Sequence, residues 1–381
     1  MIQIYSNSLG EEELQSIKEV FDSRWIGKGP KTEEFINNFS KKIITETAMG
    51  VAFVSANSDQ FLTTTCCTEG VFQILDLLEL KNGDEVIIPS MSFVGIANAV
   101  VSRGAKPVFC DSDRYTLNPS VEDIQSKITN QTKAIILLHY AGTPCKDIFK
   151  ISELCKANNI FLIEDNANSP FSRIDGVNTG TIGDFGVWSF DAMKILVTGD
   201  GGLIYSNKEN IDKLKKMVYL GLESSSGLSN TVDEKWWKFE VSSPSRRSIS
   251  NDIQAAIGIQ QLKKVDAFIS KRKEIHKIYT EELTGLPGIR TPNIPKNSTS
   301  SYYMYHIQTN KRDELAAFLR RKGIYTTFRY YPLHLVKFYN SFGEFPNTEY
   351  AANKTLCIPL HQNLSDGDID YIITQIKKWK K

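Results

Sequence analysis

Short apolar runs alternate along the first 206 residues with stretches in which apolar side chains recur every three or four positions. A short run that stays apolar is typical of a buried strand, and the wider period is typical of an amphipathic helix. The predicted strands span residues 51–55, 85–89, 106–110, 134–139, 160–164, 186–190 and 202–206. Such alternation favours βαβ units in which helices cover both faces of the sheet. The pattern therefore predicts an α/β fold with a mostly parallel, seven-stranded sheet.

The pattern changes after this sheet. Residues 222–248 are rich in serine and have no clear period, which indicates a long surface excursion. Predicted helices cover 67–78, 95–102, 148–157, 251 to about 282, 313–322 and 366–378, and further strands cover 302–309 and 325–331. We therefore expect a large α/β domain over residues 1–250 and a smaller α+β domain over residues 251–381.

Charge and cysteine content exclude several classes of function. The chain has 45 Lys and Arg against 44 Asp and Glu, so we predict neither a nucleic-acid nor a membrane partner. Residues 1–10 lack the order of a signal peptide, so we expect a cytoplasmic protein with six reduced cysteines. These cysteines form no CxxC pair and no cluster with zinc spacing, so no metal site is expected.

The candidate chemistry centres on Lys194. It follows the predicted strand 186–190 by four residues and precedes a glycine-rich turn at 199–202. Desolvation in such a setting can remove the charge of a lysine and make it an amine nucleophile. Because lysine Schiff bases are how proteins hold pyridoxal 5'-phosphate, we predict that cofactor.

Four more residues suit the same cofactor. Asp165 follows an apolar run, and its carboxylate could keep the pyridine nitrogen protonated; a helix N-cap is the alternative reading. Cys67 and Thr68 begin a predicted helix, whose free N–H groups can bind phosphate, although any capped helix looks similar. Ser189 offers another hydroxyl or is an ordinary strand serine.

Side chains on two other segments are candidates for ring and substrate contacts. Phe93 follows the strand 85–89 and could stack on a planar ring or belong to the core. Arg329 could bind a carboxylate or phosphate, with a solvated surface as the alternative, and His334 lies close to it in sequence. We predict that Arg329 and His334 bind substrate.

Together these segments resemble the DegT/DnrJ/EryC1/StrS family of pyridoxal-phosphate-dependent sugar aminotransferases nearly end to end. No single segment is decisive, but their order and spacing are highly specific. The segments are 25–30, 34–35, 83–89, 97–100, 104–109, 164–165, 183–186, 199–202, 254–258, 331–334 and 358–361.

The resemblance implies the fold-type I transferase architecture and a homodimer with active sites at the subunit interface. It also implies transfer of an amino group from glutamate to a keto sugar carried on a nucleotide. The implied roles are Lys194 as covalent anchor and acid/base, Asp165 at the pyridine nitrogen, Asn168 near the phenolic oxygen, Phe93 against the ring, and Cys67, Thr68 and Ser189 at the phosphate.

Three departures from the family pattern bear on the substrate. The usual Ser-Gly-Thr run is replaced by residues 66–68, Cys-Cys-Thr, after what looks like an insertion at 56–64. Asn168 stands where His or Gln is usual. Where a family asparagine reaches the phosphate of the partner subunit, this chain has Arg246 and Arg247, and we assign that contact to Arg247, with a charged substrate as the alternative.

The expected function is therefore transfer of an amino group from glutamate to a nucleotide-linked deoxy keto sugar, for surface glycan biosynthesis. The alternatives are a small phosphorylated ketose or keto-octulosonate as acceptor, a sugar dehydratase, and a non-catalytic regulatory member of the fold. Family dehydratases carry histidine at the lysine position, so Lys194 argues against dehydration. A dinucleotide oxidoreductase would need a GxGxxG after the first strand, and the helix at 67–78 begins without one.

Overall fold

Strands and helices alternate in the computed structural model, which describes residues 1–43, 56–223, 237 and 239–379. The strands are β1 (Phe61–Thr64), β2 (Glu85–Pro89), β3 (Lys106–Cys110), β4 (Thr132–Leu138), β5 (Phe161–Asp165), β6 (Arg173–Ile174), β7 (Val177–Asn178), β8 (Phe185–Ser189), β9 (Gly202–Tyr205), β10 (Ser298–Thr299), β11 (Tyr305–Gln308) and β12 (Thr355–Ile358). The helices are α1 (Glu11–Asp22), α2 (Pro30–Lys42), α3 (Cys67–Leu77), α4 (Val94–Val101), α5 (Val121–Gln125), α6 (Ile148–Asn158), α7 (Lys208–Met217), α8 (Asp252–Leu283), α9 (Arg312–Arg321), α10 (Pro346–Lys354) and α11 (Asp366–Trp379). No helix in these ranges is long and apolar enough to cross a membrane.

The main sheet has seven strands among the described residues, in the order β1-β9-β8-β5-β4-β2-β3. The run β8-β5-β4-β2-β3 is parallel throughout, whereas β9 is antiparallel to both of its neighbours. The sequence predicted a mostly parallel sheet of this size. Because Asp165 pairs with Val187 across β5 and β8, Asp165 and Ser189 lie on the same face near the carboxyl edge.

Helices cover both faces of this sheet, as the apolar strands require. On β4, Ala134 and Ile136 join the buried cluster that contains α3 and α4. The alternate residues Ile135 and Leu137 join the cluster of α5 and α6 on the opposite face. Side chains on a strand alternate between faces, so a strand buried on both sides is apolar at every position.

The long helix α8 connects the sheet to the C-terminal part. Its first half packs Ala255 and Ile259 against the aromatic side chains of α2. Its second half packs with α9, α11 and the β11–β12 pair in a cluster drawn from residues 275–376. We propose that the domain boundary lies at the start of α8, with residues 1–250 and 251–381 on either side.

One predicted strand falls outside the described residues, and another differs from the structure. The first is the run 51–55; among the described residues the strand at this edge is β1, within the apparent insertion at 56–64. The run 325–331 is not a strand: the Tyr325 amide donates to the Ile2 carbonyl at 2.9 Å, while Thr327 and Cys357 exchange hydrogen bonds of 3.1 and 2.7 Å. Its backbone groups therefore pair with two different segments.

The two ends of the surface excursion predicted at 222–248 lie next to each other. Leu222 bridges Val241 and Tyr219 bridges Arg247, both antiparallel. Residues 224–236 and 238, which include most of the predicted excursion, lie outside the described part.

Candidate active site

A cleft of about 220 Å³ opens beside the carboxyl edge of the sheet. It receives residues from β5, β8, the start of α3, the loop before α4 and the segment that follows α9. Its lining residues are Cys66, Cys67, Thr68, Phe93, Ile96, Asp165, Ala167, Ser189, Asp191, Met193, Lys194, Asp200, Arg329 and Tyr330. The cleft therefore brings together seven of the residues singled out from the sequence: Cys67, Thr68, Phe93, Asp165, Ser189, Lys194 and Arg329.

A tight turn holds Lys194 at this cleft. After β8 ends, the carboxylate of Asp191 accepts from the Met193 amide at 2.9 Å, and its carbonyl accepts from the Lys194 amide at 2.9 Å. An Asp side chain that bonds a backbone group two residues later is a standard turn-forming contact. The next three residues, 195–197, are buried apolar side chains that anchor the turn.

The amine of Lys194 meets an amide and an aromatic ring. Nζ donates to Asn168 Oδ1 at 3.5 Å and lies 5.1 Å from the centre of the Tyr303 ring. Burial lowers the pKa of Lys194, but Tyr303, Tyr330 and Asp165 raise it more, so the net shift is upward. The net shift is therefore opposite in direction to the lowering that desolvation alone would cause.

Asp165 is 2% exposed and ends β5. Its Oδ1 accepts from the Ala167 amide at 2.9 Å, in a turn rather than at the start of a helix, so the N-cap alternative does not hold. Burial raises the pKa of this carboxyl, against the lowering effects of the Ala167 amide, Lys194 and His139. A buried carboxylate with little compensation is suited to binding a cation.

The neighbouring Glu164 points to the other face and does a different task. Its carboxylate accepts from the amides of Gly180, Ile182 and Gly183 at 2.7 to 2.9 Å, and it lies 3.0 Å from His139 Nε2. The Nδ1 atom of His139 accepts from a backbone amide, so Nε2 carries the proton that is donated to Glu164. Glu164 therefore ties the end of β5 to the turn before β8.

The start of α3 forms a seat for an anion. Cys66 caps this helix, its sulfur accepting from the Glu69 amide at 3.3 Å. The amides of Cys67 and Thr68 come next and belong to the first turn, where a helix has no carbonyl partners for its N–H groups. A Cβ on Gly202 would lie 2.5 Å from the Cys67 nitrogen, so only glycine lets β9 approach this closely.

Aromatic and cationic groups line the opposite wall. Phe93 is 45% exposed, and its ring centre lies 6.1 Å from that of Tyr330. The Tyr330 hydroxyl donates to Asn168 Oδ1 at 3.4 Å, on the oxygen that also accepts from Lys194. Burial raises the pKa of Tyr330, which keeps the phenol protonated as a donor.

The guanidinium of Arg329 is a free cation at this wall. Its Nη2 contacts the sulfur of Met193 at 3.0 Å, and its Cζ lies 5.1 Å from the centre of the Tyr5 ring. Within the described part of the chain it forms no ion pair with a carboxylate. Arg329 therefore has its charge available for an anionic ligand.

Three other predicted residues lie at or beyond the edge of the cleft. Asn168 is fully buried behind Lys194. Arg247 is exposed, with its guanidinium 5.3 Å from the centre of the Tyr219 ring, and His334 bonds to Ser90 away from the lining. One chain does not bring Arg247 and His334 to the cleft, and their cofactor and substrate roles stay predictions.

Sequence reasoning missed two aromatic residues that face Lys194. Tyr330 lies directly after Arg329 in a segment that the motifs had singled out, so that position was a usable signal. Tyr303 follows two other polar or aromatic residues before β11, and nothing in its sequence context distinguishes it from a core tyrosine. In the described part of the chain, no cluster of His, Cys, Asp and Glu suits a metal ion.

Comparison with known proteins gives full-length matches. The sequence pattern of the DegT/DnrJ/EryC1/StrS aminotransferase family matches residues 7–377. The dTDP-4-dehydro-2,3,6-trideoxy-D-glucose 4-aminotransferase of Saccharopolyspora spinosa is 40% identical over 383 residues, which cover 99% of this chain and 96% of that protein.

Solved structures match over the same length. The aminotransferase TlmJ from Streptoalloteichus hindustanus is 43% identical, with a TM-score of 0.92 over 99% of this chain and 98% of the other. The putative sugar aminotransferase Spr1654 from Streptococcus pneumoniae, in its PMP form, is 25% identical, with a TM-score of 0.88 over 100% and 99% of the two chains.

Proposed function

Because this chain belongs to the DegT/DnrJ/EryC1/StrS aminotransferase family, we propose that it moves an amino group from glutamate to the keto group of a nucleotide-linked deoxy sugar. The family, the fold-type I architecture, the aminotransferase activity and the pyridoxal 5'-phosphate cofactor are those predicted from the sequence, and the comparisons confirm them. The donor, the acceptor and the residue roles are our proposals.

The residues of the cleft fit pyridoxal phosphate. Asn168 Nδ2 is a buried donor with no hydrogen-bond partner in the described part of the chain. Asp165 is a buried carboxylate that accepts one backbone hydrogen bond, and the α3 start offers two outward amides. The lysine amine suits the aldehyde of the cofactor, and the carboxylate suits its pyridinium nitrogen. The amide donor suits its phenolic oxygen, and the start of α3 suits its phosphate.

We assign the cofactor contacts accordingly. Lys194 would hold the cofactor covalently, Asp165 would bind the pyridine nitrogen, and Asn168 the phenolic oxygen. Phe93 would lie against the ring, and the phosphate would lie at Cys67, Thr68 and Ser189. In a homodimer, Arg247 of one subunit would reach the phosphate in the other.

When bound, the cofactor supplies an electron sink that stabilises the substrate carbon as its proton leaves. The chain's part is to hold and move that proton at Lys194 Nζ. Asn168 Oδ1 orients the amine at 3.5 Å and Tyr330 donates to the same oxygen. Burial raises the pKa of Asp165, so its negative charge is disfavoured until a cationic group such as a pyridinium lies against it.

The proposed acceptor rests on one relative, which is 40% identical to this chain over 99% of its length. The name of that relative gives a dTDP-linked keto sugar as its substrate. A lysine at position 194 supports amine transfer over dehydration. The unpaired guanidinium of Arg329 supports binding of an anion, which both glutamate and a nucleotide diphosphate supply. We place the reaction in the cytoplasm, in the biosynthesis of a surface glycan.

A substrate screen tests this proposal. The purified protein, loaded with pyridoxal phosphate, is given glutamate alone, and loss of absorbance near ~420 nm reports formation of the amine form of the cofactor. Keto-sugar nucleotides are then added in parallel with a phosphorylated ketose and a keto-octulosonate. Recovery of the original absorbance with a dTDP- or GDP-linked 4-keto sugar is the expected result.

The other outcomes are distinct. Recovery only with the phosphorylated ketose or keto-octulosonate would replace the acceptor and leave the family chemistry intact. A cofactor that does not change with glutamate, but does with another amino acid, would overturn the donor.

A further inference from the structure

We propose that Ser90 and His334 form a clamp that positions Arg329 and Tyr330 against Phe93 at the mouth of the cleft. The pair lies behind the cleft rather than in it, so His334 is a positioning residue. The inference needs only the aminotransferase activity of the family and holds whichever acceptor the enzyme uses.

Three hydrogen bonds join the two segments at one residue. The Leu333 amide donates to the Ser90 carbonyl at 2.8 Å, and the His334 amide donates to Ser90 Oγ at 3.4 Å. Ser90 Oγ and His334 Nδ1 lie 2.6 Å apart. We assign the Ser90 hydroxyl as donor and Nδ1 as acceptor, because the other ring nitrogen, Nε2, faces the carboxylate of Glu349 and carries the ring proton there.

The clamp is buried and supported on its far side. Ser90 is fully buried, and the His334 side chain is 5% exposed. The imidazole stacks on Phe345, with ring centres 4.0 Å apart and an angle of 18° between the planes. Its Nε2 lies 3.5 Å from the exposed carboxylate of Glu349. Well-packed supporting groups of this kind fix the orientation of a polar contact.

Each side of the clamp leads directly to a wall of the cleft. Phe93 lies three residues after Ser90, and Tyr330 lies four residues before His334. The two rings meet edge to face at 6.1 Å. Tyr330 in turn donates to Asn168 Oδ1, the oxygen that orients Lys194. The Ser90–His334 pair thus connects the position of Arg329 and Tyr330 to that of the Lys194 amine.

The cleft wall that contains Arg329 and Tyr330 has other hydrogen bonds on its N-terminal side, so the clamp acts on its C-terminal side. Upstream, Tyr140 donates to the Arg329 carbonyl and Thr327 pairs with Cys357. Downstream of Tyr330, Ser90 provides the hydrogen bonds to residues 333–334 that end the segment. These bonds lie closer along the chain to Tyr330 than the hydrogen bonds of the same segment to α4, which run from Tyr339 to Val94 and Asn98.

Four variants test the clamp. Ser90→Ala removes the hydroxyl, and His334→Gln moves the side-chain amide away from the Nδ1 position. His334→Asn is the conservative variant, because its amide lies near the Nδ1 position. Tyr339→Phe is the matched control, since it deletes another hydrogen bond between this segment and the region after β2, the 2.8 Å bond from Tyr339 to Asn98 Oδ1.

The first measurement is amide hydrogen exchange of the cofactor-loaded enzyme without substrate. Exchange over residues 328–336 is expected to become faster in Ser90→Ala and His334→Gln. It is expected to stay at the native rate in His334→Asn and Tyr339→Phe. Unchanged exchange in the first two variants would overturn the proposal.

The second measurement is the single-turnover reaction with the amino donor, which does not involve the acceptor. Ser90→Ala and His334→Gln are expected to lose about 10- to 100-fold in kcat/KM, as expected when a positioned group moves by about 1 Å. In an Arg329→Gln background, Ser90→Ala should cost less than it does in the native enzyme, because part of its effect passes through Arg329.

Two results of the kinetics would overturn the clamp. One is an equal loss in His334→Asn and Tyr339→Phe, which indicates general destabilisation. The other is a full additional loss of Ser90→Ala in the Arg329→Gln background. Failure of every acceptor in the substrate screen leaves the donor reaction intact, and failure of glutamate as donor leaves the exchange rates as a test of the clamp, so the two proposals fail separately.

Discussion

At the scale of the residue, the consecutive carboxylates Glu164 and Asp165 have different roles: the first stabilises the fold and the second faces the cleft. Side chains on a strand alternate between faces, so Glu164 and Asp165 cannot share an environment. Glu164 is saturated by three amides and His139, whereas Asp165 keeps its carboxylate largely free at the cleft. The strand end was predictable from the sequence, and so was the position of the second acid at the cleft. The contacts of the first were not, because its partners come from a turn 16 to 19 residues later.

Lys194→Ala should lower kcat by at least about 1,000-fold, because the same amine both anchors the cofactor and carries the proton. The measurement is the single-turnover reaction with glutamate, followed by absorbance. Lys213→Ala is the matched control, since that lysine is exposed and forms a surface ion pair with Glu209. Retention of more than about a tenth of the native rate in Lys194→Ala would contradict the assignment of the proton to this residue.

Asp165→Asn should inactivate the enzyme and yet stabilise the protein stripped of its cofactor at neutral pH. Burial raises the pKa of Asp165, so the folded state prefers the protonated acid. The contribution of Asp165 to the free energy of unfolding is therefore fully present at acidic pH, and it is lost as the pH rises through the pKa that Asp165 has in the folded state. A neutral amide removes that loss.

Thermal unfolding across pH checks the sign for Asp165→Asn. The melting temperature of the variant should exceed that of the native protein at pH 7, and the difference should shrink toward acidic pH. A difference that grows in acid would show that the carboxylate is stabilised by the fold rather than penalised.

At the scale of the element, the start of α3 combines a weak cap with an anion seat. The cap is a thiol, Cys66, where a hydroxyl is the usual N-cap. Sulfur is a poor acceptor, and its bond to the Glu69 amide is 3.3 Å long. The helix is otherwise well anchored, since Val71, Ile74 and Leu75 are fully buried.

Cys66→Ser should therefore stabilise the protein by about 0.5 to 1 kcal/mol, because a hydroxyl accepts this hydrogen bond more strongly. Denaturant unfolding measures the change in free energy. Cys155→Ser is the control for the same chemical change in an apolar cluster, where the hydroxyl should cost about 1 to 3 kcal/mol. A destabilised Cys66→Ser protein would mean that packing of the sulfur outweighs its role as a cap.

Elements differ in how far the sequence could specify them. Strands β2 to β5 and helices α3, α4, α6 and α8 follow from period and length, because burial on one or two faces leaves a local pattern. The edge strand β1 was not predicted, since its place in the sheet depends on pairing with β9, about 140 positions later. The segment 325–331 looks like a strand locally, but Ile2 and Cys357 compete for its backbone.

The site shows the same division. Lys194, Asp165 and the α3 start were predictable because each lies next to a strand end or a helix start. Tyr303 was not, because its approach to Lys194 is set by the packing of the C-terminal part. His334 was assigned to substrate from its place beside Arg329, whereas the structure directs its ring to Ser90.

At the scale of the whole molecule, α8 joins the N-terminal helices to everything that follows. Its first residue, Asp252, is buried and accepts from the amides of Gly29, Lys31 and Thr32 and from the Thr32 hydroxyl, at 2.7 to 3.1 Å. One carboxylate thus caps α2 from a distance of 220 residues along the chain. The negative charge also lies at the positive end of the helix dipole.

Asp252→Ala should destabilise the protein by at least about 3 kcal/mol, because several buried donors lose their acceptor together. Asp266→Ala is the matched control, as it removes a 2.7 Å ion pair between α8 and Lys42 of α2 with the aspartate 77% exposed. Its cost should stay below about 1 kcal/mol. Equal free energies of unfolding for the two variants, measured in denaturant, would contradict the role given to Asp252.

The packing of α2 on α8 also means that α2 is synthesised on the ribosome well before the helix that it packs against. Helix α2 ends at Lys42 and α8 begins at Asp252, 210 positions later. At about 5 to 20 residues per second, roughly 10 to 40 s of translation separate the two. Throughout that interval the nascent chain carries Phe35 and Phe39 without the helix that buries them. Until α8 emerges, these side chains are exposed apolar surface of the kind that chaperones bind.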